Sequence, residues 1–131
     1  MGRARPRRPL TLDAGALIAL DRGDDSVRLT IEQTVARGHR VVIPAGALGQ
    51  AWRDGRKQAR LSRLLRGKLV SVESLDEPRA KRAGELCGRS GTSDVIDASV
   101  VLAARASRGR VLTSDPDDLH RIDSLLDLEA V

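Results

Sequence analysis

The sequence predicts a three-layer α/β/α domain built on a central parallel sheet of about four to five strands. Three observations predict it. Short Val-, Leu- and Ile-rich runs alternate with segments of helical periodicity, glycine, proline or an acid punctuates nearly every junction, and the strand runs read as buried on both faces. Alternation of this kind implies parallel strands joined by right-handed crossovers, with helices on both sides of the sheet.

Taken in order, Leu10-Thr-Leu-Asp13-Ala reads as a short buried strand, and Ala16 to Leu20 as a helical turn ending near Asp21-Arg-Gly23. Asp24-Asp-Ser caps a helix through Val27, Ile31 and Val35 to Gly38, and Arg40-Val-Val-Ile43 before Pro44 is a second strand. The chain then reads as helix from Ala45 to about Asp54. After Gly55 comes a basic amphipathic segment, with Leu61, Leu64 and Leu65 set among Arg56, Lys57, Arg60, Arg63 and Arg66. Leu69 to Val72 is the third strand, Glu77 to about Gly88 a helix begun near Pro78, and Arg89 to Ser93 a polar loop. The segment Asp94 to Ser107 has almost no polar face in its middle, so it belongs at the centre of the domain. Arg110 to Thr113 is a strand, Leu119, Ile122, Leu125 and Leu126 mark a short helix, and Leu128 to Val131 closes the chain. Residues 1–9 form a basic arm and 10–131 a single domain, in keeping with a length of 131 residues.

Composition narrows the function classes. With Trp52 as the lone aromatic, stacking platforms for nucleic-acid bases are nearly ruled out. Cys87 stands alone, which excludes a disulfide framework or a thiolate metal cluster and suits a cytoplasmic setting. The basic start lacks the apolar stretch and cleavage site of a signal peptide, and no run approaches the roughly 20 apolar residues that span a membrane. The net charge of +5, with 23 Lys and Arg against 18 Asp and Glu, suits a polyanion such as nucleic acid or an acidic protein.

The acids carry the chemistry. In open parallel sheets ligands bind beyond the carboxyl ends of the strands. Asp13 ends the first strand and Asp115 follows the Val111-Leu-Thr113 strand, so the two share a rim if their strands are neighbours. Asp94 and Asp97 are spaced i, i+3, on one helix face a turn apart. Each has a plainer reading: Asp94 a helix cap, Asp97 half of a salt bridge, Asp13 a turn residue, and Asp115-Pro-Asp-Asp118 an exposed turn. Jointly they form an oxygen-only donor set suited to Mg²⁺ or Mn²⁺, and to metal-dependent hydrolysis of a phosphodiester. The exposed cations Arg56, Lys57, Arg60 and Arg63 suit a phosphate backbone or, equally, a solvated helix face.

Leu12-Asp-Ala-Gly-Ala-Leu-Ile18, Asp94-Val-Ile-Asp-Ala-Ser-Val-Val-Leu-Ala-Ala104 and Val111-Leu-Thr-Ser-Asp115-Pro-Asp-Asp-Leu119 resemble, in order and spacing, the acidic motifs of PIN domains. The chain is similar in particular to the short VapC-type toxins of bacterial toxin–antitoxin pairs. The resemblance implies an endoribonuclease dependent on Mg²⁺ or Mn²⁺, dimerisation, and restraint by a cognate antitoxin. It assigns the metal to Asp13, Asp97 and Asp115, with Asp94 a further acid, Asp117 a helper and Thr113 a hydroxyl beside the last acid. One position departs from the pattern: Gln50 in Pro44-Ala-Gly-Ala-Leu-Gly-Gln50 stands where such proteins carry a glutamate, which removes one negative charge and supports the alternative of a catalytically impaired module that binds RNA or a protein partner.

Overall fold

The computed structural model describes residues 8–131, so positions 1–7 of the basic arm lie outside the described residues. Five strands form one parallel sheet: β1 (Leu10–Leu12), β2 (Val41–Pro44), β3 (Val70–Glu73), β4 (Arg110–Thr113) and β5 (Leu128–Ala130), in the order β3-β2-β1-β4-β5. Seven helices accompany them: α1 (Ala14–Asp21), α2 (Asp25–Ala36), α3 (Ala45–Ala51), α4 (Ala59–Leu65), α5 (Glu77–Ser90), α6 (Val95–Ser107) and α7 (Pro116–Ile122). The three-layer parallel architecture expected from the sequence is the one observed.

Strand sequences explain the sheet. All of β1 and β2 is buried, and Val111, Leu112 and Thr113 of β4 are too, as expected of parallel strands covered on both faces. On one side α1 packs against α2 and α4; on the other α6 lies against β1 and β2 with α5 and α7 beside it, and α3 touches both α1 and α6 at the rim. The uniformly apolar centre of α6 follows from that place: Ala98, Val100, Val101, Ala103 and Ala104 are all buried. Leu10, Leu12, Leu17, Ile43, Leu61, Leu112 and Leu119 complete an aliphatic core.

The chain winds outward from β1 to β3, then crosses back to lay β4 on the other side of β1. That reversal opens a crevice above the carboxyl ends of β1 and β4, the point at which doubly wound sheets hold ligands. Register places Leu12 beside Leu112, so the residues after each strand emerge together.

Three helix ends differ from the sequence reading. α3 stops at Ala51, short of Asp54, because the buried side chain of Gln58 takes over the terminal hydrogen bonds. Its Nε2 donates to the Ala51 carbonyl at 2.9 Å, and its Oε1 accepts from the amides of Arg53 and Asp54 at 2.8 and 3.0 Å. α5 continues to Ser90, through part of the expected loop, and ends at Gly91 in the left-handed conformation. α7 ends at Ile122, since Asp123 accepts from the Leu125 amide and turns the chain, leaving Leu125 92% exposed.

Candidate active site

Three of the acids lie where helices begin. Asp13 is the N-cap of α1, its Oδ1 accepting from the Ala16 amide at 2.8 Å; Asp94 caps α6 through the Asp97 amide at 2.9 Å; and Asp115 precedes α7 with no capping bond from its side chain. The cap reading of Asp94 is therefore observed. Asp97 lies in the first turn of α6, half-buried instead of enclosed in the helix interior.

β1 and β4 are neighbours, and one side chain ties their acids together. Thr113, fully buried, donates its hydroxyl to Asp13 Oδ2 at 2.5 Å and accepts from the Asp115 amide at 2.9 Å. Asp13 is thus satisfied at both oxygens although only 6% exposed. Replacing Thr113 with valine removes both bonds inside a dry site, a loss of about 2 kcal/mol. Thermal denaturation should show a melting temperature lower by about 7 °C, with Thr113→Ser close to the parent.

Among the described residues, none of Asp13, Asp94, Asp97 and Asp115 forms an ion pair, so the salt-bridge reading of Asp97 has no partner. Burial raises the Asp13 carboxyl above its ordinary value, against the lowering effect of its hydrogen bonds to Thr113 and Ala16, and Asp115 adds to the rise. Asp97 is pushed up to about 7, first by loss of water, then by the charge of Asp94 and hydrogen bonding to its carboxyl, then by Asp118 and Asp13. These five carboxylates therefore feel one another across the crevice.

Asp118 is the acid that sequence reasoning passed over. It stands three residues after Asp115, as Asp97 does after Asp94, so both helices open with Asp-x-x-Asp; that repeated spacing was the available signal. Asp118 also reaches Arg121 at 3.7 Å. Asp117 is exposed in the first turn of α7, and no described hydrogen bond joins it to the other acids. Gln50 is exposed near the end of α3, one turn beyond Gly46 on the same stripe. A Cβ at Gly46 would meet Ile96 Cδ1, so this stripe approaches the start of α6 beside Asp97.

The four cations read as a phosphate track are all exposed. Arg56 pairs with Asp54 at 3.5 Å, and Arg60 donates to the Asp21 carbonyl at 3.2 Å. Arg60 and Arg63 line a groove of about 500 Å³ between α2 and α4, whose floor includes Leu20, Ile31, Val35 and Leu64.

A divalent cation fits this rim by charge and donor type: hard carboxylate oxygens of Asp13, Asp94, Asp97 and Asp115 on neighbouring elements, without an ion pair among the described residues. The cage is open, since among the described residues no three His, Cys, Asp or Glu side chains stand close enough to grip an ion as they lie.

Fold and rim together define a doubly wound α/β domain with an acidic site at its switch point. Residues 10–125 match the PIN domain family, and the chain belongs to that family. PIN domains are generally nucleases, and those nucleases generally use divalent metals. In fold the chain is similar to a chain of VapBC2 from Rickettsia felis, in a crystal structure bound to a DNA fragment from their promoter. The TM-score is 0.67 at 18% identity, covering 94% of this chain and 98% of that one. No curated protein matches the chain. Among the described residues, no helix is long and apolar enough to cross a membrane.

Proposed function

We propose that residues 10–131 form a metal-dependent endoribonuclease, the toxin of a type II toxin–antitoxin pair, acting in the cytoplasm. The observation that carries this reading is the set of mutually repelling carboxylates at the β1–β4 switch point, Asp13, Asp94, Asp97 and Asp115, none of them ion-paired among the described residues. RNA as substrate follows the likeness to VapC-type toxins.

Asp13, Asp97 and Asp115 would hold Mg²⁺ or Mn²⁺, with Asp94 and Asp118 adding negative charge around it. When bound, the cation supplies a water of lowered pKa and screens the charge that builds on a phosphodiester during displacement. Thr113 keeps Asp13 oriented through its hydroxyl. Asp94, the cap of α6 beside Asp97, is placed to tune the site or to accept a proton from an attacking group. Arg56, Lys57, Arg60 and Arg63 supply positive surface for the RNA backbone.

A cognate antitoxin and a homodimer belong to the same reading. The complex in which the similar fold was solved, VapBC2, supports a protein partner. The α2–α4 groove, apolar below with Arg60 and Arg63 at its edge, is a surface suited to an amphipathic acidic segment.

Gln50 supports a second reading, a domain that binds RNA or a protein without cutting. The two separate in one assay, single-stranded RNA incubated with purified protein and Mn²⁺. Cleavage that EDTA stops supports the first reading. Binding without cleavage, with cutting restored in Gln50→Glu, supports the second.

A further inference from the structure

The α1 residue that follows Asp13-Ala14 has no side chain, and the space beside its Cα is already occupied. A Cβ at Gly15 would overlap the Ser114 hydroxyl and lie 2.5 Å from Ser114 Cβ, while the next nearest atom is Asp13 Oδ1 at 3.4 Å. The close obstruction is thus the Ser114 side chain. Ser114 is the middle of three residues that wrap the rim. Before it, Thr113 donates to Asp13; after it, the Asp115 amide donates back to Thr113; and the Ser114 hydroxyl reaches Asp115 Oδ2 at 3.4 Å.

We infer that Gly15 is a positioning residue: its bare Cα is the seat on which Ser114 rests, and that seating lets the 113–115 segment close over Asp13 and bring Asp115 to the same crevice. A side chain at 15 pushes Ser114 outward. The Thr113 hydroxyl is carried with it, because it belongs to the adjacent residue, and the link between the two acids opens. The inference rests on the acidic rim being the functional site. Its packing component, the coupling of positions 15 and 114, is independent of any metal.

Ordinary helix propensity makes the opposite forecast, which gives the test its force. Alanine in place of glycine within a helix normally stabilises. Gly84, in α5 with open space around it, provides the control.

The experiment compares four variants of the full chain with the parent: Gly15→Ala, Ser114→Gly, the double variant and Gly84→Ala. Each is read by melting temperature and by calorimetric affinity for Mn²⁺. Gly15→Ala should melt at least about 4 °C lower and bind Mn²⁺ roughly tenfold more weakly, the order of change seen when a support of a ligand is removed. Gly84→Ala should show neither loss. The double variant should regain both properties to the level of Ser114→Gly alone, since the obstructing side chain is gone.

If Gly15→Ala matches the parent in stability and Mn²⁺ affinity, or the double variant is no better than Gly15→Ala, the inference is overturned. Should Gly15→Ala fail to fold, a folded double variant supports it and an unfolded one defeats it. Absence of Mn²⁺ binding in the parent would defeat the reading of the site and the positioning role built on it, while the melting temperatures would still decide the coupling of 15 with 114.

Discussion

Asp97→Asn is expected to abolish Mn²⁺-dependent RNA cleavage while making the metal-free protein more stable. Both effects follow from one property. Asp97 is held near a pKa of about 7 by partial burial and by the charges of Asp94, Asp118 and Asp13, and among the described residues it forms no ion pair. Its folded value lies above the model value of 3.8, so the folded state binds its proton more tightly than the unfolded chain. Stability from this group is therefore fully present below about pH 4 and is lost as pH rises to about 7. At pH 8 the folded protein bears the whole cost of the charge. Discounted for the solvent that still reaches a half-buried carboxylate, that cost is roughly 1–2 kcal/mol. Asparagine keeps the shape and removes the charge, so the melting temperature at pH 8 should rise by about 4–7 °C, and the gain should vanish toward pH 4. Cleavage should fall on the order of 10²-fold or more, since a neutral amide weakens the cation site. A variant that is less stable at pH 8, or that cuts as fast as the parent, would refute the assignment.

Local sequence carried the strands, the apolar α6 and the acids at i, i+3, because each is written in the spacing of neighbouring residues. It could not carry which strands pair. The shared rim of Asp13 and Asp115 depends on β4 lying beside β1, a fact set by the long crossover after β3 and by nothing within either strand. The end of α3 was illegible for the same reason: Ala51 is capped by Gln58, seven residues on, whose second Nε2 bond reaches Asp21 of α1 at 3.3 Å. Asp118 was legible in principle, as the second acid of a repeated Asp-x-x-Asp, and was obscured by the turn chemistry of Asp115-Pro-Asp. Thr113 was named from resemblance alone. Its physical role, one hydroxyl bridging two acids, needed the side-chain positions on both strands. Gln50, exposed near the end of α3, is a departure from the pattern that nothing in the structure explains.

Mn²⁺ at a hundredfold excess over its pH 8 dissociation constant is expected to raise the melting temperature by about 8–10 °C at pH 8. At the same concentration the rise should be only about 1–2 °C at pH 5. An ion that binds only the folded state stabilises it by about 2.7 kcal/mol at that excess, which sets the larger figure. The smaller one comes from proton competition. The cation needs Asp97 ionised, and with its pKa at about 7 the apparent affinity falls about tenfold for each pH unit below that value. Two pH units of competition bring a hundredfold excess down to parity, where the stabilisation is about 0.4 kcal/mol. The metal-free protein moves the other way, gaining stability as Asp97 takes its proton between pH 7 and 4, so the two melting curves should converge on acidification. That convergence separates a bound ion from a general salt effect, which would shift both pH values alike. In Asp97→Asn the Mn²⁺ shift should be small at both pH values. In Gln50→Glu it should grow at pH 8, since the added carboxylate lies on the stripe of α3 that approaches α6 beside Asp97. A Mn²⁺ shift equal at pH 5 and pH 8 in the parent would put the ion somewhere other than the Asp13–Asp97–Asp115 crevice.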